Sequence, residues 1–286
     1  MRPGFPADSD HDVVVRRWRT GSRCRSATAG LAERESTVPH DLPASRTEPD
    51  GSVVVRVLSY NVRSMRDDVP ALGRVISACA PDVVCVQEAP RFFRWRKAAA
   101  RLARESGLVY VTGGATASGP MILASLRAHV ERTEDVLLPR TPGLHQRGFA
   151  TAVLRFGGVR LGVLSCHLSI KDGERHAQGR LLLERLAALG VPHAVAAGDL
   201  NDRPDGRTFG LLAESLQDGW ATKPWGREHT TRLGDPLQRI DAVFATGGVE
   251  VLGCGVPMGL AGVAEADLRS ATDHLPVLAA LRVPAS

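Results

Sequence analysis

Polar residues able to bind a metal ion or move a proton recur at the ends of apolar runs. Asn61 closes the run that begins Val53-Val54-Val55, Glu88 follows Val83-Val84-Cys85-Val86-Gln87, and His167 ends Arg160–Cys166. Asp199, with Asn201 two residues on, follows His193–Gly198; Asp241 opens a run to Ala245, and Asp273-His274 precedes Leu275–Val283. A lone carboxylate at a strand end is commonly a turn cap. Eight such residues at six strand ends, each against a buried run, favour a site. If the ends meet at one edge, the later strands must run opposite to the earlier ones. Two competing readings fail. An EF-hand starting at Asp199 would put Arg203 at its fifth position and Pro204 at the sixth, where glycine is needed. Gly113-Gly114 with Gly119 lacks the Lys-Ser/Thr of a phosphate loop.

The elements that must position these residues are readable from periodicity. Strands are predicted at 53–61, 82–88, 108–112, 121–125, 150–156, 160–167, 193–198, 239–245 and 275–283. Helices are predicted near 70–79, 91–106, 173–189 and 208–215. Gly157-Gly158 between two strand runs signals a hairpin. Helices and strands interleave, yet several strands join through short links. The predicted fold is therefore α/β, with partly antiparallel sheets instead of a doubly wound parallel one.

The stretches VLSYNVR (57–63), VVCVQE (83–88), VLSCHLS (163–169), AAGDLND (196–202), RIDAVFA (239–245) and TDHLPV (272–277) make the chain resemble the endonuclease/exonuclease/phosphatase superfamily. They fall in that family's order over about residues 53–283. The resemblance implies a four-layer α+β sandwich: two mixed, largely antiparallel sheets packed face to face and flanked by helices. It implies hydrolysis of phosphate esters with Mg²⁺ or Mn²⁺, held by Asn61, Glu88 and Asp273. It also implies catalytic roles for His167, Asp199, Asn201, Asp241 and His274, the last as general base or phosphate contact oriented by Asp241. The residue types agree: three carboxylates would repel an anionic ester unless a hard cation intervened. Arg63, Arg91 and Arg203 adjoin site residues in sequence and are the candidate phosphate contacts. Two departures bear on substrate. Gly119-Pro120-Met121 stands where many relatives have Gly-Asn, so one polar contact is expected to be missing. His167 replaces the tyrosine of the abasic-site endonucleases. The leading expectation is a phosphodiesterase or nuclease-like enzyme. A phosphomonoesterase or lipid-headgroup hydrolase is the alternative, and a silent nucleic-acid-binding module a third reading.

Composition bounds the rest. In 286 residues, 43% hydrophobic and 23% charged, a sizeable core is possible and wholesale disorder is excluded. No apolar run approaches the roughly 20 residues of a membrane span. The net charge of +5 lies wholly after residue 52, because residues 1–52 balance their Arg against Asp and Glu. A mildly basic body suits a polyanion, with nucleic acid as the favoured one. Five scattered cysteines without a CxxC pair argue against a disulfide framework and for a reducing cytoplasm. Residues 1–52 show no sustained period and are expected as a disordered tail or extension, with the catalytic domain at 53–286 and no obligate protein partner.

Overall fold

Valine-rich and aliphatic runs build two sheets, in a computed structural model that describes residues 41–232 and 237–285. The first part of the chain gives β1 (Arg46–Thr47), β2 (Val53–Asn61), α1 (Val69–Cys79), β3 (Val83–Gln87), α2 (Trp95–Ser106), β4 (Val109–Gly113) and β5 (Met121–Ala124). The middle gives β6 (His129–Leu137), β7 (Gly148–Phe156), β8 (Val159–His167), α3 (Asp172–Ala187), β9 (Ala194–Asp199) and α4 (Arg207–Ser215). Then come β10 (Gln217–Asp218), α5 (Gly219–Thr222), β11 (Asp241–Ala245), β12 (Glu250–Gly255), α6 (Glu265–Ala271) and β13 (Val277–Val283).

One sheet has the order β12-β13-β2-β3-β5-β4, with β1 pairing the start of β2. The other has the order β10-β11-β9-β8-β7-β6. In each, one central pair is parallel (β2 with β3, β8 with β9) and the remaining pairs are antiparallel. Alternate residues of both sheets, such as Val55, Val57, Val163 and Val195, form a shared apolar layer between them. Opposite faces bury against α1, α2 and α6 on one side, and α3 and α4 on the other. The four-layer sandwich expected from the sequence is present.

Local chemistry explains the element ends. Asp68 caps α1 by accepting the Ala71 N–H at 3.0 Å, with Pro70 in the first turn. The predicted hairpin at Gly157 pairs Phe156 with Val159. Helix α2 starts at Trp95, later than predicted, because Arg94 takes a left-handed conformation at its N-terminal boundary (φ 61°). Strands β1, β6, β10 and β12 and helices α5 and α6 escape the periodicity. β6 is a charged edge strand, its apolar alternation replaced by Glu131, Arg132, Glu134 and Asp135, which discourage pairing with another chain. In β12, Gly253 and Gly255 interrupt the apolar run, and Gly253 leaves room for Leu42, which a Cβ there would meet at 2.5 Å.

That contact corrects the expected tail boundary. Residues 1–40 lie outside the described residues. Residues 41–52 belong with the sandwich: Leu42 is buried, and β1 pairs with β2. The buried Arg56 guanidinium on β2 donates to the carbonyls of Leu42 (2.5 Å), Pro43 (3.0 Å) and Cys79 (3.2 Å). Ser45 donates to Asp82 at 2.5 Å. The four described cysteines are all buried free thiols, packed as small hydrophobes. No helix among the described residues is long and apolar enough to cross a membrane.

Candidate active site

The layer between the sheets is apolar over most of its length and turns polar at one end. Strand register places His167, Asp199 and Asp241 side by side in one row across β8, β9 and β11. They share the inward parity of Val163, Val195 and Val243, so their side chains enter the space between the sheets. From the facing sheet come Asn61, at the end of β2, and Glu88, just past β3. β13 runs antiparallel to β2, so Asp273 and His274, which precede it, return to the same edge. The opposed strand directions demanded by the sequence are those observed.

Asp199 is the hub. Its Oδ2 accepts from Asn61 Nδ2 at 3.1 Å and lies 3.4 Å from His167 Nε2 and 3.8 Å from His274 Nε2. Its Oδ1 accepts the Asn201 backbone N–H at 2.9 Å, and Asn201 Nδ2 donates to the Leu168 carbonyl. On the far side, His274 Nδ1 meets Asp241 Oδ2 at 2.9 Å. Asp241 Oδ1 is buried with no hydrogen-bond partner. One atom each of Asp199, Asp241 and His274 lie within 4.8 Å of one another, a spacing that could hold a cation only with the His274 ring neutral.

Thr230, absent from any motif, ties this side together. It is fully buried; its Oγ1 accepts from Ile240 N–H and Asp241 N–H, and its carbonyl accepts from Leu275 N–H at 2.7 Å. One residue thus fixes the backbone on which both members of the Asp241–His274 pair are carried.

The two imidazoles titrate in opposite directions. Burial pushes His167 down to about 4, with Asp199 opposing and Arg147 reinforcing, so its ring is neutral near pH 7. Burial also disfavours the His274 cation, but the carboxylates of Asp241, Asp199 and Asp273 outweigh it and raise the group to about 10. His274 is an imidazolium at neutral pH.

These groups floor a cleft of about 280 Å³, whose walls include Glu88, Arg66, Arg91 and Arg147. Glu88 reaches Asn61 Nδ2 at 3.4 Å. It sits on a left-handed backbone (φ 52°), as do Ser64, Ser118 and Asn201 around it. Four non-glycine residues in that sparsely populated region at one cleft mark a site where geometry is over-determined by packing. Arg91 donates to the carbonyl and hydroxyl of Ser118, whose hydroxyl donates in turn to the Gln146 carbonyl. Gln146 in turn donates from Nε2 to the Leu138 and Arg147 carbonyls, which holds the backbone at Arg147. The next residue, Gly148, has no room for a Cβ, which would lie 2.4 Å from the Ala117 carbonyl oxygen. Burial lowers the Arg147 pKa from its ordinary value against the pull of Asp199 and Glu88, yet a guanidinium remains charged.

Of the residues singled out in the sequence, Asn61, Glu88, His167, Asp199, Asn201, Asp241 and His274 converge, and Arg91 lines the cleft. Asn61 is placed as a donor: its Oδ1 already accepts the Arg63 N–H, and its amide nitrogen faces Glu88 and Asp199. Asp273 is ion-paired with Arg63 at 3.1 Å, and Arg63 also meets Asp67, so Arg63 faces carboxylates and does not line the cleft. Arg203 departs altogether; it is exposed, paired with Asp205, and lies outside the cleft lining. The positive φ at Asn201 redirects the chain before Arg203 is reached. Arg147 and Arg66 were missed because neither adjoins a motif. β7 begins at Gly148, two residues ahead of the predicted strand, so no sequence signal marked Arg147 as a wall residue.

The profile of the endonuclease/exonuclease/phosphatase family matches residues 58–274, which hold every converging site residue. The chain belongs to this family. Solved structures agree on the fold of this family member. An endonuclease/exonuclease/phosphatase from Bacteroides vulgatus superposes with a TM-score of 0.66 at 18% identity, covering 80% of this chain and 99% of the other. A mannosyl-6-phosphatase from Bacteroides thetaiotaomicron gives 0.64 at 18% identity, over 79% and 99%. Truncated TDP2 from Caenorhabditis elegans gives 0.59 at 17% identity, over 80% and 97%. Comparison with curated proteins gives no match. Members of the family are phosphoesterases and nucleases.

Proposed function

We propose that this chain is a divalent-cation-dependent phosphodiesterase that acts on a nucleic-acid-type polyanion. The observation that carries the reading is the convergence of His167, His274 and Asn61 on Asp199, at the floor of a cleft walled by Arg66, Arg91 and Arg147. Carboxylates there prepare for a cation, and guanidinium groups prepare for an anion. A silent module would have no use for both together.

The donor chemistry fits Mg²⁺ or Mn²⁺. Glu88 faces the cleft with only an amide N–H at 3.4 Å against it, and Asp241 Oδ1 is a buried oxygen without a donor. Glu88 is thus an open acceptor for a cation, whereas Asp241 already has its other oxygen on His274. Glu88 would hold the ion, Asn61 would orient its carboxylate, and Asp273 would complete the acidic ring while restraining Arg63. The ion would supply Lewis-acid polarisation of the phosphoryl oxygen and stabilise the departing oxyanion.

The protein's own groups do the remainder. Arg91 and Arg147 bind the non-bridging oxygens, and Arg147 takes the wall where the Gly119-Pro120-Met121 stretch offers no amide. Asp199, already accepting from Asn61 and Asn201, orients an attacking water through its carboxylate. A P–O bond forms to that water, whose proton passes to the Asp199 carboxylate and on to solvent, and the opposite P–O bond breaks. Neutral His167 donates only a hydrogen bond to the leaving oxygen, which departs as an oxyanion and takes its proton from water. His274 remains an imidazolium, held by Asp241, and contacts the phosphate as a cation until substrate or metal changes the balance of charge around it.

The test is turnover of bis-p-nitrophenyl phosphate and of p-nitrophenyl phosphate with Mg²⁺, with Mn²⁺ and with EDTA. The expected outcome is metal-restored diester hydrolysis that EDTA abolishes and that Glu88→Gln lowers by about 100-fold or more. Full activity in EDTA, or turnover of the monoester alone, overturns the proposal.

A further inference from the structure

A second groove, of about 310 Å³, lies beside the catalytic cleft, and Ser64 stands in the wall of both. Its lining includes Met65, Pro90, Phe93, Arg94, Lys97 and Arg101 and contains no carboxylate. Arg94, Lys97 and Arg101 make no ion pair among the described residues. They recur at intervals of three and four at the start of α2 and along it, so they line one face over about 10 Å.

The loop leading into that helix reads Arg91-Phe92-Phe93-Arg94-Trp95-Arg96. Phe92 is 82% exposed and Phe93 88% exposed. Adjacent phenylalanines left in water contribute nothing to the core and indicate a surface used for contact. Each aromatic ring faces a guanidinium: Arg91 over Phe92 at 5.9 Å, Arg94 over Phe93 at 5.0 Å and Arg96 over Trp95 at 4.4 Å. A basic groove interleaved with accessible rings matches what a single strand needs, cations along the backbone and π-faces for the bases. A lipid surface would require a continuous apolar prominence, and here cations sit within the groove and against the rings.

We propose that this groove binds the single-stranded nucleic acid that extends from the scissile phosphate, with a base stacked on Phe93 and backbone phosphates against Arg94, Lys97 and Arg101. The proposal rests on the phosphodiesterase reading of the cleft and adds the strand-binding surface to it.

The experiment measures binding of a fluorescein-labelled twelve-nucleotide oligothymidylate to the full chain in EDTA across a salt series, alongside turnover of bis-p-nitrophenyl phosphate with Mg²⁺. Phe93→Ala should weaken oligonucleotide binding by about tenfold. The double variant Lys97→Ala/Arg101→Ala should reduce the log–log salt slope by roughly 1.4, the share of two single-strand phosphates. All three side chains are exposed, so folding is spared, and turnover of the small diester should stay within about twofold of wild type. Variants that bind the oligonucleotide as wild type does, or that lose only affinity for phosphatidylserine vesicles, overturn the proposal. A wild-type protein without small-diester turnover overturns the reading of the cleft instead, so the two failures are told apart.

Discussion

His167 and His274 flank one carboxylate, Asp199, and yet hold opposite charge states because their other neighbours differ. His167 has burial and the Arg147 cation against it, while His274 has Asp241 and Asp273 as additional anions. Each difference is also a linkage between pH and folding. His274 is raised to about 10 from an ordinary value near 6.5, so its stabilising contribution is full below about pH 6.5 and fades as pH climbs toward 10. His167 is lowered to about 4, so its contribution is present above about pH 6.5 and is lost as pH falls toward 4. In EDTA, stability from this pair should therefore peak near pH 6.5, as read by urea unfolding between about pH 4 and 10. His274→Asn should flatten the alkaline limb and His167→Asn the acid limb. An alkaline limb unchanged by His274→Asn would remove the imidazolium from the site.

At the scale of elements, the segment before β2 carries the clearest consequence. Arg56 is a buried cation whose partners are carbonyls, two of them from residues 42 and 43. A chain beginning at residue 51 loses both acceptors, the Leu42 side chain on Gly253 and the β1 pairing; one beginning at residue 41 keeps them. The shorter chain should be less stable by about 3 kcal/mol or more, measured by thermal or denaturant unfolding of the two. Equal stability would show that residues 41–50 pack without energetic effect. The same segment shows where sequence reading stops. The bounds of β2 were legible because nearly every residue from 53 to 61 is aliphatic or fits a strand, and polar residues closing such runs pointed to Asn61, Glu88, His167 and Asp199. Leu42 and Thr230 were not legible, since their value comes from a glycine and two backbone amides far along the chain. Arg203 misled for the converse reason: adjacency to Asn201 in sequence does not survive a left-handed residue between strand and loop.

Over the whole molecule, the site belongs to neither sheet. Asn61, Glu88 and His274 come with one, His167, Asp199 and Asp241 with the other, and the apolar layer holds the two together. Loss of hydrolysis in denaturant should accordingly coincide with loss of tertiary packing, in one transition by activity and by tryptophan fluorescence. Activity that vanished well before the fluorescence change would place the site in a separately unfolding part.

The strand order has a further effect on the time at which a hydrolytic centre can exist. The second sheet is built from one continuous stretch, β6 to β11, and it interrupts the first, whose β12 and β13 arrive only afterwards. Asn61 therefore waits for more than 200 residues of synthesis before Asp273 and His274 can be set beside it by the pairing of β13 with β2. A nascent chain that has not yet reached β13 carries the carboxylates of Glu88, Asp199 and Asp241 without the imidazolium. The topology acts as a delay, and the cleft gains its last functional group at the step that closes the first sheet.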